Sequence, residues 1–168
     1  MLIHTISGSS RTLSSNRRLL EALNTIQPQH QFVHLEVIQE LPLFQANLDI
    51  HPWPPAVLAW RAAIAEADAV VICTPEYLHN MPALLKNGLE WLSSSGELVD
   101  KSVLPITFTP HAPRGEKTMQ SLIWTLQALN AKIVTQLPLY QQEVTFEPSG
   151  AIAEGLSLDM LQMAIDLL

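Results

Sequence analysis

Ala69-Val70-Val71-Ile72-Cys73 is the stretch that most narrows what this chain can become. A continuous apolar run, with no polar residue on alternate positions, suits a strand covered on both faces, as in the middle of a parallel sheet. Parallel neighbours cannot be joined by a tight turn and need crossover helices. The rest of the chain supplies them. Leu2, Ile3, Thr5 and Ile6 predict a short buried strand, and Leu19, Leu20, Leu23 and Ile26 follow at helical spacing. Gln31 to Ile38 alternates weakly and predicts a second strand, nearer an edge. Val103 to Thr109 and Ile133 to Leu137 read as the fourth and fifth. Helical patterns cover Ala56–Ala67, Pro82–Ser94, Glu116–Leu129 and Ala153–Leu168. The alternation predicts one α/β domain over residues 1–168, a doubly wound five-stranded parallel sheet with helices on both faces.

The first strand runs into Ser7-Gly8-Ser9-Ser10-Arg11-Thr12-Leu13-Ser14-Ser15-Asn16 before the first helix. A strand, a polar loop and a helix start aim free backbone N–H groups and the positive end of a helix dipole at one place, which suits phosphate. Ser9, Ser14 and Ser15 add hydroxyls, and Arg11 adds a forked cation. A plain helix N-cap at Ser14 or Ser15 is the competing reading. The loop matches neither the dinucleotide nor the nucleoside-triphosphate glycine pattern.

Ligands of open α/β sheets bind beyond the carboxyl ends of the strands, where strand order reverses. Two further loops lie at such ends. Thr74 to Pro82 offers Tyr77 for a flat ring, with backbone amides and Asn80; Thr109 to Gly115 offers backbone near its glycine. Residues 41–55 form a long loop with prolines around Trp53, a length usually tied to function or to a partner. Cys73 ends a buried strand and reads as a core thiol. The histidines show no metal spacing, and no serine-hydrolase elbow occurs.

Composition limits the partners. A net charge of −7 argues against nucleic acid or an anionic membrane. One cysteine excludes an internal disulfide and fits a reducing compartment, and no apolar run reaches spanning length, so the cytoplasm is the expected location. Only 15% of residues are charged against 48% hydrophobic, which leaves apolar surface to cover. The predicted third helix carries Leu84, Leu85, Leu89, Trp91 and Leu92 on more than one face. A homodimer or homotetramer is the expected assembly.

The first loop, with Arg11, Ser14 and Asn16, resembles the G-S-x-R-x-x-S-x-N loop of the NADPH-dependent FMN reductase family, flavodoxin-like flavoproteins that include quinone, chromate and azo-dye reductases. Leu41-Pro42-Leu43-Phe44 resembles the family's L-P-L-[FY] segment. Thr74-Pro75-Glu76-Tyr77, then Pro82, Leu85-Lys86-Asn87 and Trp91, resembles its T-P-E-Y-N-x-S-x-P-x-x-L-K-N-x-x-D-W signature. The departures are Leu78 for the Asn, Asn80 for the Ser, Ala83 for the Gly after Pro and Glu90 for the Asp; the third loop keeps a single glycine, Gly115.

The resemblance implies that Ser9, Arg11, Ser14, Ser15 and Asn16 hold the phosphate of FMN. It implies that Pro75, Glu76 and Tyr77, with the neighbouring chain through Leu78 and Asn80, line the isoalloxazine ring and ribityl chain. The implied activity is electron transfer from NADPH or NADH through FMN to a small acceptor such as a quinone, with no catalytic side chain and no metal. Two alternatives stand beside it: a binding module of the same fold that holds FMN or another phosphorylated ligand without turnover, and a fold relative with an empty site.

Overall fold

The computed structural model describes residues 1–168. Its strands are β1 (Leu2–Ser7), β2 (Gln31–His34), β3 (Ala69–Thr74), β4 (Ser102–Thr109), β5 (Lys132–Ile133) and β6 (Leu137–Tyr140). The helices are α1 (Ser15–Ile26), α2 (Pro55–Glu66), α3 (Ala83–Glu90), α4 (Glu116–Ala128) and α5 (Leu156–Ile165). The sheet is parallel throughout, in the order β2-β1-β3-β4-β5, with β6 also on β4. Every residue of β3 is buried, as expected of the central strand.

Two hydrophobic clusters lie on the two faces of the sheet. Leu19, Leu20 and Leu23 of α1 and Leu161 and Ile165 of α5 pack on Ile3, Val71, Ile106 and Phe108. Val57, Trp60 and Ile64 of α2, Leu85 and Leu89 of α3 and Leu122 and Leu126 of α4 pack on Ile6, Val70, Ile72 and Val103. Alternate strand residues feed opposite clusters, the period-two consequence of the pleat.

Four sequence expectations change. The second strand stops at His34, and Glu36–Glu40 winds into a 3₁₀ turn once the Leu35 N–H has bonded the Thr5 carbonyl at 3.0 Å. The predicted fifth strand is two short ones. Ser102 and Val103 pair with Lys132 and Ile133, but Ile106 pairs with Leu137, so one extra residue is accommodated opposite Leu104 and Pro105. That is a bulge, placed where a proline has no N–H to give a ladder. Helix α3 ends at Glu90 rather than Ser94, and α5 starts at Leu156 rather than Ala153.

The fourth change concerns the outer stripe of α3, which was expected to need another subunit. Residues 41–54 of the same chain cover it. Trp91 is fully buried, its ring meets Phe44 edge-on at 5.1 Å, and its Nε1–H donates to the Pro42 carbonyl at 2.8 Å. Asn87 Nδ2 donates to the same carbonyl at 3.0 Å, and its Oδ1 accepts the Phe44 N–H at 2.7 Å. Further along, Asp49 pairs with Arg61 Nη2 at 2.7 Å, both side chains nearly buried. The long loop is therefore a pinned cover over α2 and α3.

Candidate functional site

The order β2-β1-β3 puts the reversal of strand order between β1 and β3, so the loops after these strands flank the predicted crevice. Gly8 opens the first. Its N–H donates to the Cys73 carbonyl at 2.8 Å, and a Cβ there would lie 2.4 Å from Thr74 Oγ1, so only glycine lets the loop leave β1 against β3.

Hydroxyls shape the loop beyond it. Ser9 Oγ accepts the Arg11 N–H at 3.3 Å, and Ser14 Oγ accepts the Arg17 N–H at 3.1 Å as the cap of α1. The capping reading of Ser14 is thus correct as far as it goes. Each hydroxyl accepts here and keeps its own O–H to donate. The N–H groups of Ser15 and Asn16, in the first turn of α1, have no acceptor in the chain. The Arg11 guanidinium is exposed and makes no ion pair or hydrogen bond. Asn16 differs in role. It is buried, its Nδ2 donates to the Phe108 carbonyl at 3.4 Å and its Oδ1 accepts from Cys73 Sγ at 3.2 Å, so its side chain fixes the loop to β3 and β4. Burial pushes the Cys73 thiol up, which keeps it protonated as that donor.

The second loop is a tight turn. Tyr77 and Asn80 exchange backbone hydrogen bonds at 2.9 and 3.0 Å around Leu78 and His79, which have φ of 51° and 61°. Two successive left-handed residues make a type I′ turn, a conformation that bulky leucine adopts rarely. Leu78 stands at the tip, 99% exposed. Asn80 Oδ1 turns back to accept the Met81 N–H at 2.8 Å.

Glu76 joins the second loop to the third. Its carboxylate, 5% exposed, accepts the Gly115 N–H at 2.9 Å and the Thr118 hydroxyl at 3.3 Å. Gly115 has φ of 101°, and a Cβ there would press on Thr107 at 3.0 Å and Thr109 at 3.1 Å. Thr109 Oγ1 closes the third loop by donating to the Arg114 carbonyl at 2.7 Å.

These loops enclose an open cavity of about 340 Å³, within the usual size of small-molecule sites. Of the ten residues expected at the site, Ser9, Arg11, Ser14, Ser15, Asn16, Pro75, Glu76 and Tyr77 line it. Leu78 and Asn80 do not, because the turn carries them outward. Sequence reasoning missed Phe108, Pro110, Arg114 and Gln141, which also line it. Arg114 was findable, since it stands beside Gly115 in a loop already marked as a ligand loop. Gln141, whose Nε2 donates to Ser15 Oγ at 2.9 Å, carried no sequence signal.

A parallel doubly wound sheet with a hydroxyl-rich loop and an unpaired arginine at its switch point makes this an α/β protein of the flavodoxin-like kind. The sequence profile of NADPH-dependent FMN reductases matches residues 1–142, and the chain belongs to that family. It is 39% identical over 118 residues to the NADH:(hydroxy)cinnamate reductase subunit CrdA of Vibrio ruber, covering 69% of this chain and 57% of that protein. It is 33% identical over 136 residues to a quinone reductase of Escherichia coli, covering 79% of this chain and 72% of that one. The chain thus spans little more than half the length of the Vibrio relative. Among solved structures it superimposes on FerB, a flavoenzyme NAD(P)H:(acceptor) oxidoreductase from Paracoccus denitrificans, with a TM-score of 0.85 at 22% identity, over 98% of this chain and 93% of that one. This last likeness shows the fold.

Proposed function

We propose that this chain is an FMN-dependent NAD(P)H oxidoreductase that passes electrons to a small acceptor of the quinone type. The observation that carries the reading is the cradle between β1 and α1. Two unpartnered N–H groups, two hydroxyls free to donate and an unpaired guanidinium converge where a phosphate monoester would be held. The donor set fits the phosphate of FMN, and Tyr77 beside the same cavity, 48% exposed, has ring surface to offer a flat ligand.

Bound FMN would supply the redox chemistry, accepting a hydride from the reduced nicotinamide and releasing electrons to the acceptor. The chain's own residues hold and orient. Ser9, Arg11, Ser14 and Ser15 bind the phosphate. Asn16 keeps the loop at its height above β3 and β4. Pro75 and Tyr77 flank the ring, and Glu76 fixes the spacing of the second and third loops. No side chain is assigned a proton transfer. The relatives named for quinone and FMN reduction support the acceptor class.

The same reading places the activity in one domain of a cytoplasmic homodimer or homotetramer. The single buried cysteine and the absence of any helix long and apolar enough to cross a membrane are consistent with it. The exposed Leu78 beside the cavity supports a covered, assembled site.

An anaerobic NADPH titration of the FMN-loaded protein tests the reading. It requires a yellow complex that bleaches on NADPH and recolours on a quinone. A yellow complex that never bleaches is the carrier of the alternative reading, and failure to take up flavin removes FMN from both the enzyme and the carrier.

A further inference from the structure

We propose that Cys73 is a positioning residue for the cofactor phosphate: its thiol holds the Asn16 amide, and through it the donor loop between β1 and α1, in the conformation that favours FMN over a flavin without phosphate. The inference rests on the FMN reading above and adds the residue that sets the donor loop.

Cys73 meets both ends of that loop. Its carbonyl accepts the Gly8 N–H at 2.8 Å where the loop leaves β1. Its Sγ–H donates to Asn16 Oδ1 at 3.2 Å where the loop enters α1. The strand register explains how one residue does both. Ser7, the last residue of β1, lies opposite Cys73 on β3. The loop therefore starts beside Cys73, and its far end returns over the same residue.

The amide end is the more demanding one. Asn16 is 2% exposed, so its polar atoms need partners within the chain. Nδ2 donates to the Phe108 carbonyl at 3.4 Å, and Oδ1 accepts from Cys73 Sγ and from no other donor. The thiol thereby decides which way the amide faces, since the oxygen must turn to the donor and the nitrogen to the carbonyl. A buried cysteine is ordinarily a small apolar filler. Valine would fill the same place on the strand but would leave a buried carbonyl oxygen without a donor, which costs more than the hydrogen bond itself contributes.

Asn16 serves the ligand through its main chain. Its N–H and that of Ser15 are the unpartnered donors of the first turn of α1. An amide released by Cys73 would turn toward the cavity that Asn16 lines, to find water, and would carry these N–H groups out of line. The loss falls on the phosphate and spares the ring.

Infrared spectroscopy reads the contact directly. Cys73 is the single cysteine of the chain, so the S–H stretching band belongs to it alone. In the protein without flavin that band should lie in the hydrogen-bonded range, shifted from the position of a thiol in an apolar solvent. Flavin affinities of two variants give the second arm. Cys73→Val removes the donor, keeps apolar bulk and leaves the Gly8 bond to the main-chain carbonyl in place. It should weaken FMN binding about 2- to 12-fold, the worth of an ordinary hydrogen bond, and leave riboflavin binding unchanged. Cys73→Ser keeps an O–H donor and should return FMN affinity toward that of the wild type. Equal losses for FMN and riboflavin in Cys73→Val, or a serine variant as weak as the valine one, would assign the position to packing and overturn the proposal. A free-thiol band in a wild type that takes FMN overturns it without any variant and leaves the FMN reading standing. A wild type that takes no FMN overturns both.

Discussion

Glu76 Oε2 accepts the backbone N–H of Gly115 at 2.9 Å, from one ligand loop to the next. The second and third loops are spaced by this bond and by the Thr118 hydroxyl on the same oxygen. A glutamate expected at the ring of the cofactor thus acts first as the clamp between two loops. Glu76→Ala removes the acceptor of a buried N–H, which typically costs about 1–3 kcal/mol. The variant should lose stability in a urea titration and lose FMN affinity with it, while Glu76→Gln, which keeps a side-chain carbonyl oxygen, should recover most of both. An alanine variant with wild-type stability would show that the clamp is idle.

Arg11 is unpaired at the cavity, so removing it disturbs no contact within the chain. Arg11→Ala should weaken FMN binding by about 10- to 150-fold, the worth of a charge-assisted hydrogen bond of roughly 1.5–3 kcal/mol. Riboflavin lacks the phosphate and should bind the variant and the wild type alike. Equal losses for the two flavins would take Arg11 away from the phosphate.

Tyr77 tests the ring end. Tyr77→Ala should lower FMN and riboflavin affinity together by roughly 1 kcal/mol, since the lost contact is with the ring and not the phosphate. Fluorescence titration of both flavins reads this directly, and unchanged affinities would remove Tyr77 from the site.

Local signals made most of this legible. Val70, Val71 and Ile72 announced a strand buried on both faces because every residue in the run is apolar, and the hydroxyl cluster between β1 and α1 lies within ten residues of sequence. The cover over α3 was not legible. Trp91 and Asn87 reach Pro42 across 49 and 45 residues, and no periodicity records which of two apolar stripes another part of the chain will hide. The outer face of α3 consequently looked like subunit interface. The fifth strand failed for a related reason: the interruption between β5 and β6 lies opposite Pro105 on a different strand. Leu78 and Asn80 stand outside the cavity lining because the turn that carries them outward uses left-handed backbone at a leucine, which sequence alone does not suggest.

The ion pair of Asp49 and Arg61 gives the last prediction, and it concerns the pinned loop. Burial alone would raise the Asp49 pKa, but hydrogen bonds from Ser94, Arg61 and Trp53 Nε1–H and the charge of Arg61 outweigh it and hold the carboxyl below its ordinary value. A folded pKa below the unfolded one means stability that is fully present above the ordinary carboxylate range, near about 3.9, and is lost as pH falls through the depressed value. Asp49→Asn keeps the shape and removes the charge. It leaves the Arg61 guanidinium, whose side chain is 6% exposed, without its counter-ion, at a cost of roughly 1–3 kcal/mol near neutral pH. The gap between wild type and variant should then narrow as pH falls below the carboxylate range, because the wild type loses a contribution the variant never had. Urea midpoints measured from neutral pH downward read the gap. Trp53, stacked on Arg61 at 4.8 Å, should report loosening of residues 41–54 in the variant by a red-shifted emission. A gap that stays constant across the acid range would mean that Asp49 is not held ionised by this contact.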